Sequence, residues 1–209
     1  MDKLNRRIQV PYGKGRIEFE LSSEKLISIA DLKPVKAAES PVAEVKRALE
    51  TPVSSLRLKS LVKKGQKIVV VVNDITRPTP TSTILPPILE ELKGVKIRSE
   101  DIEIIVAPGI HGVNTDREMK ELVGPEVFDN YQVVCHDPED DEKLVHLGRT
   151  SRGTELIFNR DAVRADIRIL TGNVEPHQFA GYTGGAKSLL PGLSCSTVSY
   201  THLTLPTKA

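Results

Sequence analysis

Apolar residues run along this chain in two rhythms. Continuous β-branched stretches with polar ends recur four times: KIVVVVND at Lys67–Asp74, then DIEIIVAPG, YQVVCHD and ADIRILTGNV. Such a run, bounded by turn residues, predicts a strand buried on both faces, as in a parallel sheet. Between the runs lie segments with helical spacing. SPVAEVKRALE has Ser40 as a candidate N-cap, Pro41 at the first helical position, and Val42, Val45 and Leu49 on one face. SLRLKSLVKKG predicts a short helix stopped by Gly65, ILPPILEELKG a helix with Pro86 and Pro87 near its start, and NTDREMKELVG a capped helix. Strict alternation in RRIQVPYGKGRIEFEL predicts two strands around a Gly13–Gly15 turn, and KLVHLGRT with TELIFN predicts a hairpin around Ser151–Gly153. The expected fold class is α/β: a Rossmann-like open, mostly parallel sheet with flanking helices and an N-terminal β-hairpin.

Composition narrows the function classes. The 209 residues are 39% hydrophobic and 27% charged, enough to build a core. With 29 basic against 28 acidic residues the net charge is +1, which offers no electrostatic case for nucleic acid or an anionic membrane as partner. No apolar run approaches the roughly 20 residues of a membrane-spanning helix. The first ten residues lack the apolar core of a signal peptide. Two cysteines, Cys135 and Cys195, make no disulfide framework, so a cytoplasmic protein is expected.

In open α/β sheets ligands sit beyond the carboxyl ends of the strands, so the loops there carry the candidate chemistry. NDITRPTPTS offers Asp74, the guanidinium of Arg77 and the hydroxyls of Thr76, Thr79, Thr81 and Ser82 near a helix start. That set suits a phosphate or carboxylate site, or equally an Asp–Arg ion pair with ordinary capping. In APGIHGVNTDREM, His111 stands between Gly109 and Gly112, placed either as a general base or as a surface loop histidine. EPHQFAGYTGGAKSLLPGL, Glu175–Leu193, sets His177 and Lys187 ten residues apart, with glycines before a helix expected at its end. A phosphate loop of the G-x-x-x-x-G-K-[ST] kind does not fit, since Ala186 holds the second glycine position. Lys187 taken alone reads as a phosphate-binding or solvated lysine. His136 falls in an acidic stretch expected to be a solvated turn, and His146 in a strand. The acidic residues at 137 and 139–142 lack the spacing of a calcium loop.

Together PYGKGRI, DITRPTP, the glycine–isoleucine–histidine of Gly109–His111 and EPHQFAGYTGGAKSLLPG resemble the nickel-dependent lactate racemase family, over Ile8 to Leu193. The resemblance implies racemisation or epimerisation of small 2-hydroxy acids with a nickel-pincer nucleotide, Ni(II) pyridinium-3,5-bisthiocarboxylic acid mononucleotide. It implies a thioamide to Lys187, His111 and His177 as paired bases serving opposite enantiomers, and Asp74, Thr76 and Arg77 in the loop that binds the cofactor and orients substrate. Elementary chemistry agrees: inversion at such a carbon needs bases that titrate near neutrality, a cation for the carboxylate and a hydride acceptor, which no side chain supplies. The competing expectation is a nucleotide-binding α/β module without catalysis, which would need neither histidine.

Two departures from the family shape the domain expectation. Its members are about twice as long and carry a second α/β domain. After about Cys195 the sequence STVSYTHLTLPTKA does not look like the family. The expectation is therefore a cofactor-binding domain over residues 1–195, a non-native, poorly ordered tail over 196–209, and a fragment inactive by itself. The resemblance puts a nickel-ligating histidine at the position of Leu203; His202 is one residue short, so no metal ligand is assigned. The hydroxy acid accepted and the oligomeric state stay open.

Overall fold

In the computed structural model, residues 5–29, 33–177 and 179–202 are described, Thr201 and His202 by their backbone alone. The chain divides into two compact units, one up to Glu39 and one from Ser40 onward.

The first unit is a hairpin of β1 (Asn5–Tyr12) and β2 (Gly15–Ser22). Its register sets Ile8 opposite Phe19 and Val10 opposite Ile17, so the apolar residues of both strands share one face. Gly13 turns the chain at φ +56°, a conformation open to glycine at little cost.

The second unit contains α1 (Pro41–Glu50), α2 (Leu58–Leu61), β3 (Ile68–Asn73), α3 (Thr81–Gly94), β4 (Ile102–Ala107), α4 (Asp116–Val123), α5 (Pro125–Asn130), β5 (Gln132–Cys135), β6 (Leu144–Arg149), β7 (Glu155–Asn159), α6 (Arg160–Arg164), β8 (Ile167–Leu170), the short pair β9 (Pro176–His177) and β10 (Gly181–Tyr182), and α7 (Ser196–His202). Four strands form a parallel sheet in the order β5-β4-β3-β8. The expected pairing of Ile68–Val72 with Ile102–Val106 is present residue for residue.

Alternation explains why both faces of this sheet are dry. Val70, Val72, Ile104 and Val106 point to one side and pack with Leu85, Leu89 and Leu92 of α3, Met119 and Val123 of α4 and Val127 of α5. Val69, Val71, Ile105 and Ala107 point to the other, under Ala162 of α6, Ala165 and Leu193. That second face is covered by one short helix and by the end of the Glu175–Leu193 segment. A stretch suspected of chemistry is thus also half of a core layer.

Several expectations need correction. Pro86 and Pro87 lie inside α3, because the helix begins at Thr81. Two intrahelical donors are missing there, and burial of Leu85, Ile88, Leu89 and Leu92 holds the helix together instead. Only Leu58–Leu61 of the second helix is α-helical. Of the segment expected to be a poorly ordered tail, Ser196–His202 form α7, with Val198 1% and Ser199 0% exposed and Val198 in a small cluster with Leu144 and Cys195; the rest of that segment lies outside the described residues. Leu203 lies outside the described residues. Among the described residues, no helix is long and apolar enough to cross a membrane.

Candidate active site

Three loops leave the carboxyl ends of β3, β4 and β8 and meet in one cleft. Beyond β3 the chain turns at once, the Arg77 amide donating to the Asp74 carbonyl at 3.1 Å. Beyond β4, the His111 amide donates to the Pro108 carbonyl at 3.2 Å. Beyond β8, Thr171 donates its hydroxyl to the Val71 carbonyl at 2.9 Å, fixing the exit toward His177. Asp74, Arg77, His111, His177 and Lys187 all line the resulting cleft. Thr76 holds one of its walls through Asp74.

The long motif folds as a small clasp. β9 and β10 pair, with His177 opposite Gly181. The Thr183 hydroxyl donates to the Asn173 carbonyl at 2.7 Å and accepts the Glu175 amide at 2.8 Å. Gly184 has φ +80°, and a Cβ there would stand 3.0 Å from the Asn173 carbonyl oxygen. The helix expected after the glycines is a single 3-10 turn, Gly185–Ser188, that carries Lys187. At Gly192 a Cβ would collide with the Ser188 carbonyl. The Gly192 carbonyl accepts the Gly109 amide at 3.3 Å, tying the Lys187 loop to the His111 loop.

Unambiguous donors and acceptors fix the protons of the cleft histidines. Asp74 is 3% exposed. Its Oδ1 accepts the Thr76 amide at 2.8 Å and also the Thr76 hydroxyl, while Oδ2 lies 2.8 Å from His111 Nδ1. A carboxylate only accepts, so Nδ1 of His111 carries the hydrogen. A guanidinium only donates, and Arg77 Nη2 lies 3.4 Å from His111 Nε2, so that nitrogen presents its lone pair. His177 is the reverse. Its Nδ1 accepts the amides of Phe179 and Ala180, each at 3.2 Å, so in the neutral ring the hydrogen sits on Nε2.

The electrostatics follow from crowding of cations. Burial lowers the pKa of His177, and Lys187, Arg77 and His111 push it the same way. Lys187 is lowered by burial and then by Arg77, with Asp74 opposing. The lysine amine therefore spends more time neutral and nucleophilic than a solvated one. Among the described residues no group of three His, Cys, Asp or Glu side chains is placed to hold a metal ion.

Some candidates play another part than the one expected, or none in the cleft. Asp74 pairs with His111 rather than serving simply as a partner for Arg77. Thr79 and Thr81 are buried; the Thr79 hydroxyl lies 3.0 Å from Asn73 Oδ1 and 3.2 Å from Asn173 Oδ1, so neither threonine forms an open anion site. His136 is 1% exposed, not part of a solvated turn: its Nε2 donates to the Ser194 carbonyl at 3.1 Å. His146 sits on β6, with Nε2 2.6 Å from Glu155. Asn73, Asn173, Thr183 and Ser188 also line the cleft. The sequence signal for them was their place just after a strand or beside a glycine, too common a pattern to select them.

The chain has known relatives in sequence and in fold. A sequence model described as the lactate racemase N-terminal domain matches residues 12–208. A lactate racemase of Thermoanaerobacterium thermosaccharolyticum is 38% identical over 191 residues, 90% of this chain and 44% of that protein. One of Lactiplantibacillus plantarum is 34% identical over 200 residues, 93% of this chain and 46% of that protein. The chain thus spans about half the length of the curated relatives it matches. The structure of the Thermoanaerobacterium lactate racemase apoprotein superposes with a TM-score of 0.78 at 36% identity, over 93% of this chain and 45% of that one. A Thermotoga maritima protein shares the fold at 20% identity, with a TM-score of 0.59 over 81% of this chain and 43% of that one. With its three loops in place and the match running through nearly its whole length, the chain belongs to the lactate racemase N-terminal domain family.

Proposed function

We propose that this chain is the cofactor- and base-bearing half of a lactate racemase-like enzyme acting on small 2-hydroxy acids. The observation that carries the reading is the cleft itself: a lysine amine of lowered pKa, an arginine fork and two imidazoles on the carboxyl edge of one sheet. A nucleotide-binding module without chemistry would need neither imidazole.

The donor set fits the organic part of a nickel-pincer nucleotide. The Lys187 amine would hold it as a thioamide, and Asp74, Thr76 and Arg77 would border it. When bound, the group supplies the hydride acceptor that the side chains lack. The chain's residues do the rest. Arg77 offers paired donors to the substrate carboxylate. His111, its Nδ1–H held by Asp74, would take the hydroxyl proton at Nε2, the lone pair that faces Arg77 until Arg77 turns to the substrate. Asp74 then stabilises the imidazolium so formed, as a buried carboxylate does behind other catalytic histidines.

Chiral chromatography of L-lactate incubated with protein and purified nucleotide tests the reading. The 209 residues alone are expected to be inactive, because an open cleft leaves every charged contact in high dielectric. Joined to the remaining half of the Thermoanaerobacterium relative, they are expected to yield D-lactate. His111→Ala in that fusion should cost about 10²–10⁴-fold. A His111→Ala fusion that racemises at the unmutated rate rules out the assigned role.

A further inference from the structure

Two asparagines stand on the wall of the cleft without a part in the chemistry above. Asn73 ends β3 and Asn173 lies just past β8, and both line the cleft that holds Lys187. We propose that Asn73 is a ligand-binding residue, its Nδ2–H donating to a carboxylate or phosphate oxygen of the bound nucleotide. This assignment rests on the reading of the cleft as a nucleotide site and adds to it one contact that no charge or titration supplies.

Counting hydrogens decides which end of Asn73 the ligand meets. The Thr79 side chain is buried, and its hydroxyl lies 3.0 Å from Asn73 Oδ1 and 3.2 Å from Asn173 Oδ1. One hydrogen cannot serve two oxygens. The Nδ2 of Asn173 is meanwhile buried with no acceptor, a costly state for a donor. The two ends of an amide have the same shape, so either asparagine can turn over. Turning Asn173 sets its Nδ2 against Thr79 Oγ and leaves the Thr79 hydrogen to Asn73 Oδ1, and the orphan donor is gone. Turning Asn73 instead leaves the orphan as it was. Turning both gives Thr79 two donors and no acceptor for its own hydrogen. The arrangement that satisfies every donor of the trio therefore points Asn73 Oδ1 at Thr79 and leaves Asn73 Nδ2 for the cleft.

Packing holds the amide in that place. A Cβ at Gly172 would stand 2.7 Å from Asn73 Oδ1, so a glycine there makes the room the amide occupies. The Asn173 carbonyl is fixed by the Thr183 hydroxyl at 2.7 Å. The turn that carries Lys187 packs on the ends of β3 and β8, with the Ser188 hydroxyl donating to the Thr171 carbonyl at 3.4 Å, so a ligand bonded to that lysine would lie beside Asn73. No hydrogen bond among the described residues uses Asn73 Nδ2, and the side chain is half-buried on the cleft wall. A neutral donor suits the position. Arg77 already lowers the pKa of Lys187, and a third cation would be repelled by both, whereas an amide N–H grips an anionic oxygen without adding charge.

Isothermal titration of the chain with nicotinic acid mononucleotide, which carries a carboxylate and a phosphate but cannot form the thioamide, tests the contact. Asn73→Ala is expected to weaken binding about tenfold, the scale of one hydrogen bond to a charged group. Asn73→Asp keeps the Thr79 bond but turns an oxygen to the ligand, and is expected to weaken it further. Thr79→Val frees the amide to turn and should cost several-fold, while Thr79→Ser keeps the hydroxyl and should bind like the unmutated chain. Asn73→Ala binding as tightly as the unmutated chain overturns the proposal even where Asn73→Asp is weak, because a charge acts without contact. If urea titration shows Asn73→Ala unfolded, the Thr79 pair decides, and equal affinities of Thr79→Val and Thr79→Ser overturn it. The riboside, which lacks the phosphate, locates the oxygen: a tenfold loss there too puts it on the carboxylate, a loss with the mononucleotide alone on the phosphate. No binding by the unmutated chain contradicts the nucleotide reading itself, and this contact with it.

Discussion

At the scale of single residues, this chain sets protons by surrounding a ring with groups of known polarity. His111, His177 and His136 each face a backbone amide, a carbonyl, a carboxylate or a guanidinium whose role cannot be exchanged. His136 shows the structural use of the device. Nε2 donates to the Ser194 carbonyl at 3.1 Å, and Nδ1 lies 3.4 Å from the Asn159 side-chain nitrogen. Asn159 cannot usefully turn over, since its oxygen caps α6 by accepting the amides of Asp161 and Ala162. Burial lowers the pKa of His136 below its usual 6.5, against the raising effects of Ser194 and Asp137. A histidine depressed in the folded state binds its proton more readily when unfolded. Its stabilising contribution is therefore complete above the unfolded pKa, near 6.5, and is lost as pH falls below it. His177, lowered as well, adds in the same direction. Unfolding free energies from urea titrations between pH 8 and pH 5 should drop on the acid side, by at most about 1.4 kcal/mol per pH unit for the buried ring of His136. His136→Gln should flatten part of that slope; an unchanged slope contradicts the assignment.

At the scale of elements, the same segment serves packing and chemistry. Leu193 is fully buried against Val69, Val71 and Ile105, and it anchors the loop that carries Lys187. Leu193→Ala is expected to cost about 2–5 kcal/mol as a core truncation and to loosen the cleft with it. Thr115→Ala, which breaks the capping box with Glu118 at the start of α4, should cost about 0.5–2 kcal/mol and leave the cleft alone. Chemical denaturation separates the two, and a Thr115 variant as damaged as the Leu193 variant would upset this division. The strands were legible because burial on both faces leaves an unbroken apolar run, as at Ile68–Val72. The capping box was legible because its chemistry is local. The helix expected at the end of YTGGAKSLL was not, because Gly184 and Gly185 both take positive φ and allow a single 3-10 turn. Packing misled the reading at Pro86 and Pro87, where a buried face carries a helix that propensity alone would end. At Ser196–His202, the first half of the segment expected to be poorly ordered, Val198 finds a place beside Leu144. For His136, an acidic neighbourhood in sequence suggested solvent, yet the side chain turns inward to Ser194.

At the scale of the whole molecule, four parallel strands aim three loops at one point, and the five charged or titratable residues singled out from those loops line one cleft. Strand order does this. β3 is central and carries Asp74 and Arg77 beyond its end; β4 and β8 flank it and deliver His111 and the His177–Lys187 clasp on either side. Sequence showed which loops carry unusual residues, and the order β5-β4-β3-β8 explains why they meet. It did not show that Asp74 belongs to His111, a pairing between residues 37 positions apart that only the fold creates.

The central claim is that this cleft holds a nucleotide cofactor covalently through Lys187. Intact-protein mass spectrometry of the chain after incubation with purified nickel-pincer nucleotide tests it most directly. The expected result is the mass of one cofactor, less the water lost in forming the thioamide, on the unmutated chain and none on Lys187→Ala. An adduct that survives in Lys187→Ala, or none on the unmutated chain, would contradict it.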